Sequence, residues 1–247
     1  MPHSSSQTRA HVGPRHALLT PGNHVNSTVP GITDATTIVL INEAMGAKFA
    51  QLLVTFQAGG RAALPANGIQ TFGYVMSGGA TVTVGSAKKK LGAGGYFFAP
   101  AGKAWTLTAP SAGTQVTLFQ KKYVPLRGTR APKAFFGDAA KVEGKPFLGD
   151  PAANLQVLLP DELAFDFAVN LFTYQPGGHL PFVEIHVMEH GLIMLGGRGD
   201  YRLEDAWYAV EKGDVIWMGP YCPQWFVAKG KTPASYLYYK DVNRPAL

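Results

Sequence analysis

The sequence predicts an all-β chain folded as two tandem β-barrels. Three observations carry that expectation. Only 15% of the 247 residues are charged, while 29 glycines and 18 prolines supply turn chemistry along the whole chain. That balance favours short strands joined by tight turns over helices. Apolar runs of strand length recur between turn signals, as in a sandwich or barrel. The halves also repeat. Phe72-Gly73-Tyr74-Val75-Met76-Ser77-Gly78-Gly79 parallels His190-Gly191-Leu192-Ile193-Met194-Leu195-Gly196-Gly197, and Ala93-Gly94-Gly95-Tyr96 parallels Lys212-Gly213-Asp214-Val215, at an offset of about 118–119 residues. Duplication of one barrel accounts for such a repeat.

Taken in order, residues 1–35 read as an irregular arm rich in Pro, Gly, Ser and His, with His3, His11, His16 and His24 as tail residues. Residues 36–123 read as the first barrel, with strand-like runs at 37–41, 49–56, 72–76, 80–84, 96–99 and 115–121. The Pro-, Gly- and Lys-rich stretch 124–151 reads as a linker. Residues 152–247 read as the second barrel. Its runs lie at 165–174, 182–188, 191–195, 200–203, 207–210, 214–217, 224–227 and 235–240. Asp161-Glu162-Leu163 alone hints at a helical turn.

Within the second barrel, Gly178 to Gly197 holds the densest chemistry. Every second side chain of a strand faces the same way, so a strand at 182–188 puts Glu184, His186, Met188 and His190 on one face. Two imidazoles and a carboxylate there predict a divalent-metal site. Gln224, behind the turn Gly219-Pro220-Tyr221-Cys222-Pro223, is the fourth candidate ligand. Two nitrogens and two oxygens suit Mn, Fe, Co or Zn. One protein negative charge against a dication leaves the site net positive, so a small anionic substrate is expected. The run Tyr236-Leu237-Tyr238-Tyr239-Lys240 places Lys240 on the face of two tyrosines, lining the barrel and able to pair with a substrate carboxylate.

The first copy lacks these groups. At the repeat offset Glu184 falls on Ala66, His186 on Gly68, His190 on Phe72 and Gln224 on Trp105. A metal-free first barrel is expected, its mouth plugged by Phe72 and Trp105. Lys121 falls on Lys240, which leaves a structural role open for both. Glu189, on the opposite strand face, is expected in an ion pair, His179 in a rim loop, and Cys222 as a packed thiol.

The formal charge of +6 is concentrated locally, at Lys88-Lys89-Lys90 and in the opening segment. No basic stripe interleaved with aromatics appears, so nucleic acid is not an expected partner. The single cysteine excludes an internal disulfide. No secretory signal and no apolar span of about 20 residues is visible, so a cytoplasmic, non-membrane protein is expected.

Gly178, Glu184, His186, His190 and Gly197 resemble the first cupin motif, with Glu where its first His usually stands. Gly213 to Gln224 resembles the second, with Gly219 at the usual Pro and Gln224 at the usual His. The resemblance covers both halves and implies a bicupin of two double-stranded β-helix (jelly-roll) barrels. Glu-x-His-x-x-x-His with a distant Gln, the Cys222-Pro223-Gln224 turn, Leu19-Thr20-Pro21 with His24-Val25, and Tyr239-Lys240-Asp241-Val242-Asn243-Arg244 are similar to the (S)-ureidoglycine aminohydrolase family. That resemblance implies a manganese enzyme of allantoin and purine catabolism that releases ammonia from (S)-ureidoglycine, yielding (S)-ureidoglycolate. Carried over, it makes Glu184, His186, His190 and Gln224 the manganese ligands and Tyr201, Tyr236 and Lys240 the substrate contacts. Lys240 and Glu184 are the expected catalytic residues. Bicupins commonly associate, so a homo-oligomer is expected. Two other readings stay open at this point: a quercetinase-like cupin dioxygenase, and a bicupin that binds a metal or small ligand without catalysis.

Overall fold

The computed structural model describes residues 8–244, so His3 lies outside the described residues. The all-β expectation holds. Two strands open the chain, β1 (His11–Val12) and β2 (His16–Leu19). The first barrel then uses β3 (Ile32–Ile41), β4 (Ala50–Ala62), β5 (Ile69–Ser77), β6 (Gly79–Val84), β7 (Ala87–Gly92), β8 (Gly95–Ala99), β9 (Trp105–Thr108), β10 (Thr114–Lys122) and β11 (Phe135–Asp138). The second uses β12 (Lys145–Phe147), β13 (Asp150–Leu159), β14 (Phe167–Tyr174), β15 (His190–Gly196), β16 (Arg198–Leu203), β17 (Ala206–Glu211), β18 (Val215–Met218), β19 (Gln224–Lys229) and β20 (Ala234–Asp241). Helical structure among the described residues is confined to the short 3-10 turns Pro21–Asn23, Glu43–Met45 and Ala139–Lys141. No helix among them is long and apolar enough to cross a membrane. Residues 161–163 form no helix; the loop turns through a hydrogen bond from Phe165 N to Glu162 O.

In the first barrel one sheet runs β11-β8-β5-β10-β4-β9-β6-β7, with β3 on β4. In the second, β1-β2-β18-β15-β20-β14-β13-β12 faces the smaller sheet β17-β16-β19. Strand alternation sorts side chains among three cores. Leu118, Val75 and Phe97 fill the first barrel, and Tyr236, Tyr238 and Leu192 fill the second. Phe119, Phe72, Leu237 and Tyr239, one residue along the same strands, pack between the barrels. Strands buried on both faces explain the nearly continuous apolar runs of β5, β8 and β15. Lys88, Lys89 and Lys90 lie exposed on β7 at a sheet edge, where lysines discourage pairing with another chain.

Three connecting segments differ from expectation. Residues 8–35 are not an irregular arm: β2 pairs antiparallel with β18, His16 opposite Met218, so the chain begins in the sheet of its second barrel. His16 is buried, bonded through Nε2 to Tyr208 Oη at 2.9 Å, with Nδ1 lying 3.1 Å from Glu204 Oε2. The stretch 124–151 also contributes structure, through β11 on β8 and β12 on β13. Residues 181–189 form no regular strand. Only Glu184 pairs, in an isolated bridge to Gln224. Phe182, Val183 and Ile185 are exposed, so the alternation there has no core to bury against.

The cross-strand register also corrects the repeat by one residue. Lys240 lies opposite His190 on β20 and β15, and Gln120 lies opposite Thr71 on β10 and β5. The Cβ that Gly73 lacks would strike Phe97 of the first barrel's interior, so Thr71 faces that interior too. The counterpart of His190 is therefore Thr71, and that of Lys240 is Gln120; the two are joined by a hydrogen bond of 3.2 Å. Phe72 does not plug the mouth, because it points between the barrels onto Phe119 and Tyr96. Trp105 pairs with Val84 as Gln224 pairs with Leu203. It does fill the interior, buried against Phe97.

Candidate metal centre

Glu184, His186, His190, Tyr201, Gln224, Tyr236 and Lys240 line one cavity of about 140 Å³ in the second barrel. Their backbones come from four strands and one loop. His190 opens β15, Tyr201 lies on β16, Gln224 opens β19, and Tyr236 and Lys240 alternate along β20. Glu184 and His186 sit on the loop before β15. That loop is fixed where Glu184 N donates to Gln224 O at 2.8 Å, Gln224 N to Glu184 O at 3.0 Å, and Tyr221 N to His186 O at 2.8 Å. Glycine and proline in the 219–223 turn bring Gln224 back to face it.

The polar ends converge. Gln224 Nε2 lies 3.3 Å from His186 Nε2 and 3.5 Å from Glu184 Oε2, and His186 Nε2 lies 3.8 Å from Glu184 Oε2. His186 and His190 stack with centroids 4.7 Å apart. His190 Nε2 is buried without a partner. Burial, then the charges of His186 and Lys240, hold its pKa well below the ordinary histidine value. It is thus the neutral imidazole that ligates metals.

Among the described residues no three His, Cys, Asp or Glu side chains, Glu184, His186 and His190 included, gather closely enough to hold an ion as they stand; an ion would draw these three and the Gln224 amide closer together. Metal–ligand bonds of about 2.0–2.2 Å place neighbouring donor atoms roughly 3.0–3.6 Å apart. The Glu184, His186 and Gln224 spacings are within a few tenths of an ångström of that, and the orphaned His190 nitrogen supplies the unmet acceptor. The donor set therefore fits a divalent cation. Gln224 Oε1 accepts from Tyr201 Oη at 2.8 Å; ligation through that oxygen needs the amide turned over, a change its near-symmetric shape permits.

Tyr201 and Tyr236 are buried, and burial raises both hydroxyls well above the ordinary tyrosine value. Both are neutral hydrogen-bonding groups. Tyr236 Oη shares a 3.0 Å hydrogen bond with Tyr174 Oη. Lys240 Nζ lies 3.4 Å from Asp161 Oδ2 at the rim. Tyr238, stacked on His190 at 5.5 Å, also lines the cavity. The alternation along β20 contained that signal. Phe147 and Leu180 line it from segments whose sequence gives no such signal.

Four neighbouring groups differ from expectation or sharpen it. Glu189 makes no side-chain ion pair. Its carboxylate is buried and accepts from the backbone N of Lys48 at 3.0 and 3.1 Å and from Trp217 Nε1 at 3.4 Å. Burial pushes its pKa up to about 7, against the opposing pull of those donors. Lys121 faces the barrel interface, not a barrel interior, and pairs with buried Asp166 at 2.6 Å. His179 sits at the rim, its ring against Trp225 and its Nδ1 2.7 Å from Leu180 O. Cys222 is a packed thiol, buried and pushed up to about 11 chiefly by desolvation.

Paired jelly-roll barrels with a polar cluster in the second one define a bicupin, and residues 170–239 match the cupin domain family. An Escherichia coli protein, Ylba, has a crystal structure that superposes with a TM-score of 0.88 at 34% identity, covering 97% of this chain and 96% of that one. The (S)-ureidoglycine aminohydrolase of Arabidopsis thaliana is 38% identical over 235 residues, 94% of this chain and 77% of that protein. The Escherichia coli (S)-ureidoglycine aminohydrolase is 36% identical over 232 residues, 92% of this chain and 88% of that protein. The chain belongs to the (S)-ureidoglycine aminohydrolase family.

Proposed function

We propose that this protein hydrolyses (S)-ureidoglycine to (S)-ureidoglycolate and ammonia in allantoin and purine catabolism, with one Mn²⁺ held by Glu184, His186, His190 and Gln224. The convergence of those four side chains on one small cavity carries this reading. A bound divalent cation would supply Lewis acidity and charge stabilisation as the C–N bond breaks. Water replaces the α-amino group, and ammonia leaves.

The remaining work falls to the chain's own side chains. Lys240 binds the substrate carboxylate and fixes which face of the tetrahedral carbon is presented. In the free protein its partner is the Asp161 carboxylate. Tyr236 offers a neutral hydroxyl toward the polar end of the substrate. Tyr201 Oη meets the Gln224 amide; with that amide turned to ligate through Oε1, the same hydroxyl accepts from its Nε2, so its role is to position that ligand rather than to touch the substrate. Phe147, Phe172, Leu180 and Leu192 form the apolar wall that limits water. The cavity of about 140 Å³ is close in size to one that takes a benzene-sized guest of roughly 150 Å³. That suits ureidoglycine, and oxygen uptake with a flavonol tests the dioxygenase reading. The same reading carries a cytoplasmic homo-oligomer acting on a small anionic substrate. Sedimentation measures the assembly and cell fractionation the compartment.

The test is ammonia release from freshly generated (S)-ureidoglycine, by protein stripped of metal and then reloaded with Mn²⁺, above the substrate's spontaneous decay. Acceleration that requires metal and disappears in Glu184→Ala is expected. No acceleration with Mn²⁺ demonstrably bound would sink the reading and leave a non-catalytic binding bicupin or an oxygen-consuming enzyme.

A further inference from the structure

His190 is flanked on both sides by contacts from the first barrel. Before it, Glu189 reaches across the interface, and both its carboxylate oxygens accept the backbone N–H of Lys48. Its own backbone N donates to Asp241 Oδ1 at 2.6 Å, which ties the same residue to the end of β20. After it, Gly191 lies against the ring of Phe49. A Cβ there would come within 2.3 Å of Phe49 Cζ, and that ring is itself stacked on Tyr239 at 3.9 Å. Lys48 and Phe49 are consecutive residues at the entrance to β4. One dipeptide of the first barrel thus touches both neighbours of His190.

We infer that Lys48-Phe49 of the first barrel is a clamp that sets the position of His190, with Glu189 and Gly191 as the positioning residues it grips. The inference rests on the metal reading of His190, and it gives the ligand-free barrel a role in the chemistry of the other. A carboxylate is required because both of its oxygens face N–H donors, Oε1 that of Lys48 and Oε2 those of Lys48 and Trp217, inside a dry interface where an unmet donor is costly. In Glu189→Gln one of them meets an NH₂ group instead. Glycine is required because no side chain fits under Phe49.

The test compares Glu189→Gln and Gly191→Ala with Phe98→Leu. Phe98 packs in the same interface on Phe165 and Phe167, at 5.5 and 6.2 Å between centroids, away from the clamp. Three quantities are measured on the full-length protein: melting temperature, Mn²⁺ affinity by electron paramagnetic resonance, and amide hydrogen exchange over residues 184–190. Glu189→Gln and Gly191→Ala are expected to weaken Mn²⁺ binding about 10–100-fold, the range for partners that orient a metal ligand, and to speed exchange. Phe98→Leu is expected to lower only the melting temperature. Wild-type affinity and exchange in Glu189→Gln would overturn the clamp. So would equal losses in Phe98→Leu, because interface stability alone would then explain them. If the wild-type protein binds no divalent cation, the metal reading falls and the exchange comparison still decides the clamp.

Discussion

The two barrels carry the same ladder, yet a cross-strand pair that is His190 and Lys240 in one is Thr71 and Gln120 in the other. In the first barrel those two neutral side chains bond to each other, and Trp105 occupies the place of Gln224. In the second, the imidazole nitrogen is left without a partner. The difference teaches that equivalent places are filled differently: Trp105 closes the first interior with its ring, its Nε1 left unpartnered, whereas the second interior keeps an open cavity lined by polar groups. The first barrel commits its lysine to the interface, where Lys121 meets Asp166 of the second barrel; the second keeps Lys240 in the cavity.

Four experiments break or sharpen that contrast. The largest effect is expected from Glu184→Ala, with ammonia release falling at least about a hundredfold, beyond the usual range for partners outside the ligand set. Ala66→Gly, in the barrel without the polar cluster, should leave the rate untouched. Next, the two lysines should separate stability from activity. Lys121→Met removes the counter-charge of the buried Asp166 carboxylate, which keeps only N–H donors from Gln70 and Val124, and should cost about 3 kcal/mol in denaturant unfolding. Lys240→Met breaks only a 3.4 Å rim contact to half-exposed Asp161, about 1 kcal/mol or less, but should raise KM sharply.

Two glycines give a finer comparison. Gly73→Ala would drive a methyl into Phe97, and Gly191→Ala would drive one into Phe49. Each should cost about 1–3 kcal/mol as overpacking, measured by thermal unfolding, but only Gly191→Ala should reduce turnover. The smallest effect concerns Cys222. A thiol pushed up to about 11 stays protonated through neutral pH, so its thiolate and its alkylation by iodoacetamide should rise only as pH approaches 11. Cys222→Ser should keep full activity, and rapid alkylation at pH 8 would contradict the packed-thiol assignment.

Most of the fold was legible because turn residues and the internal repeat survive in the sequence. The candidate site was legible by residue type for a reason that was partly incorrect. Glu184, His186 and His190 do line one cavity, but the first two lie on a loop pinned by the Glu184–Gln224 bridge and by Tyr221 N–H on His186 O. The repeat aligned Gly73 with Gly191, yet one faces a barrel interior and the other faces the partner barrel. A one-residue slip reverses every side chain on a strand, and identical glycines hid it. β1 and β2 were missed because such short strands owe their structure to distant partners, which no local pattern records.

The pairing of β2 with β18 also has a meaning in time. His16 leaves the ribosome about two hundred residues before Met218, its opposite number. At a synthesis rate of about 5–20 residues per second the wait lasts on the order of ten seconds or more. During it the first barrel can be completed while β2 remains an open edge, a template for pairing with a foreign chain. The sheet that carries His190 therefore closes last, after translation of nearly the whole chain.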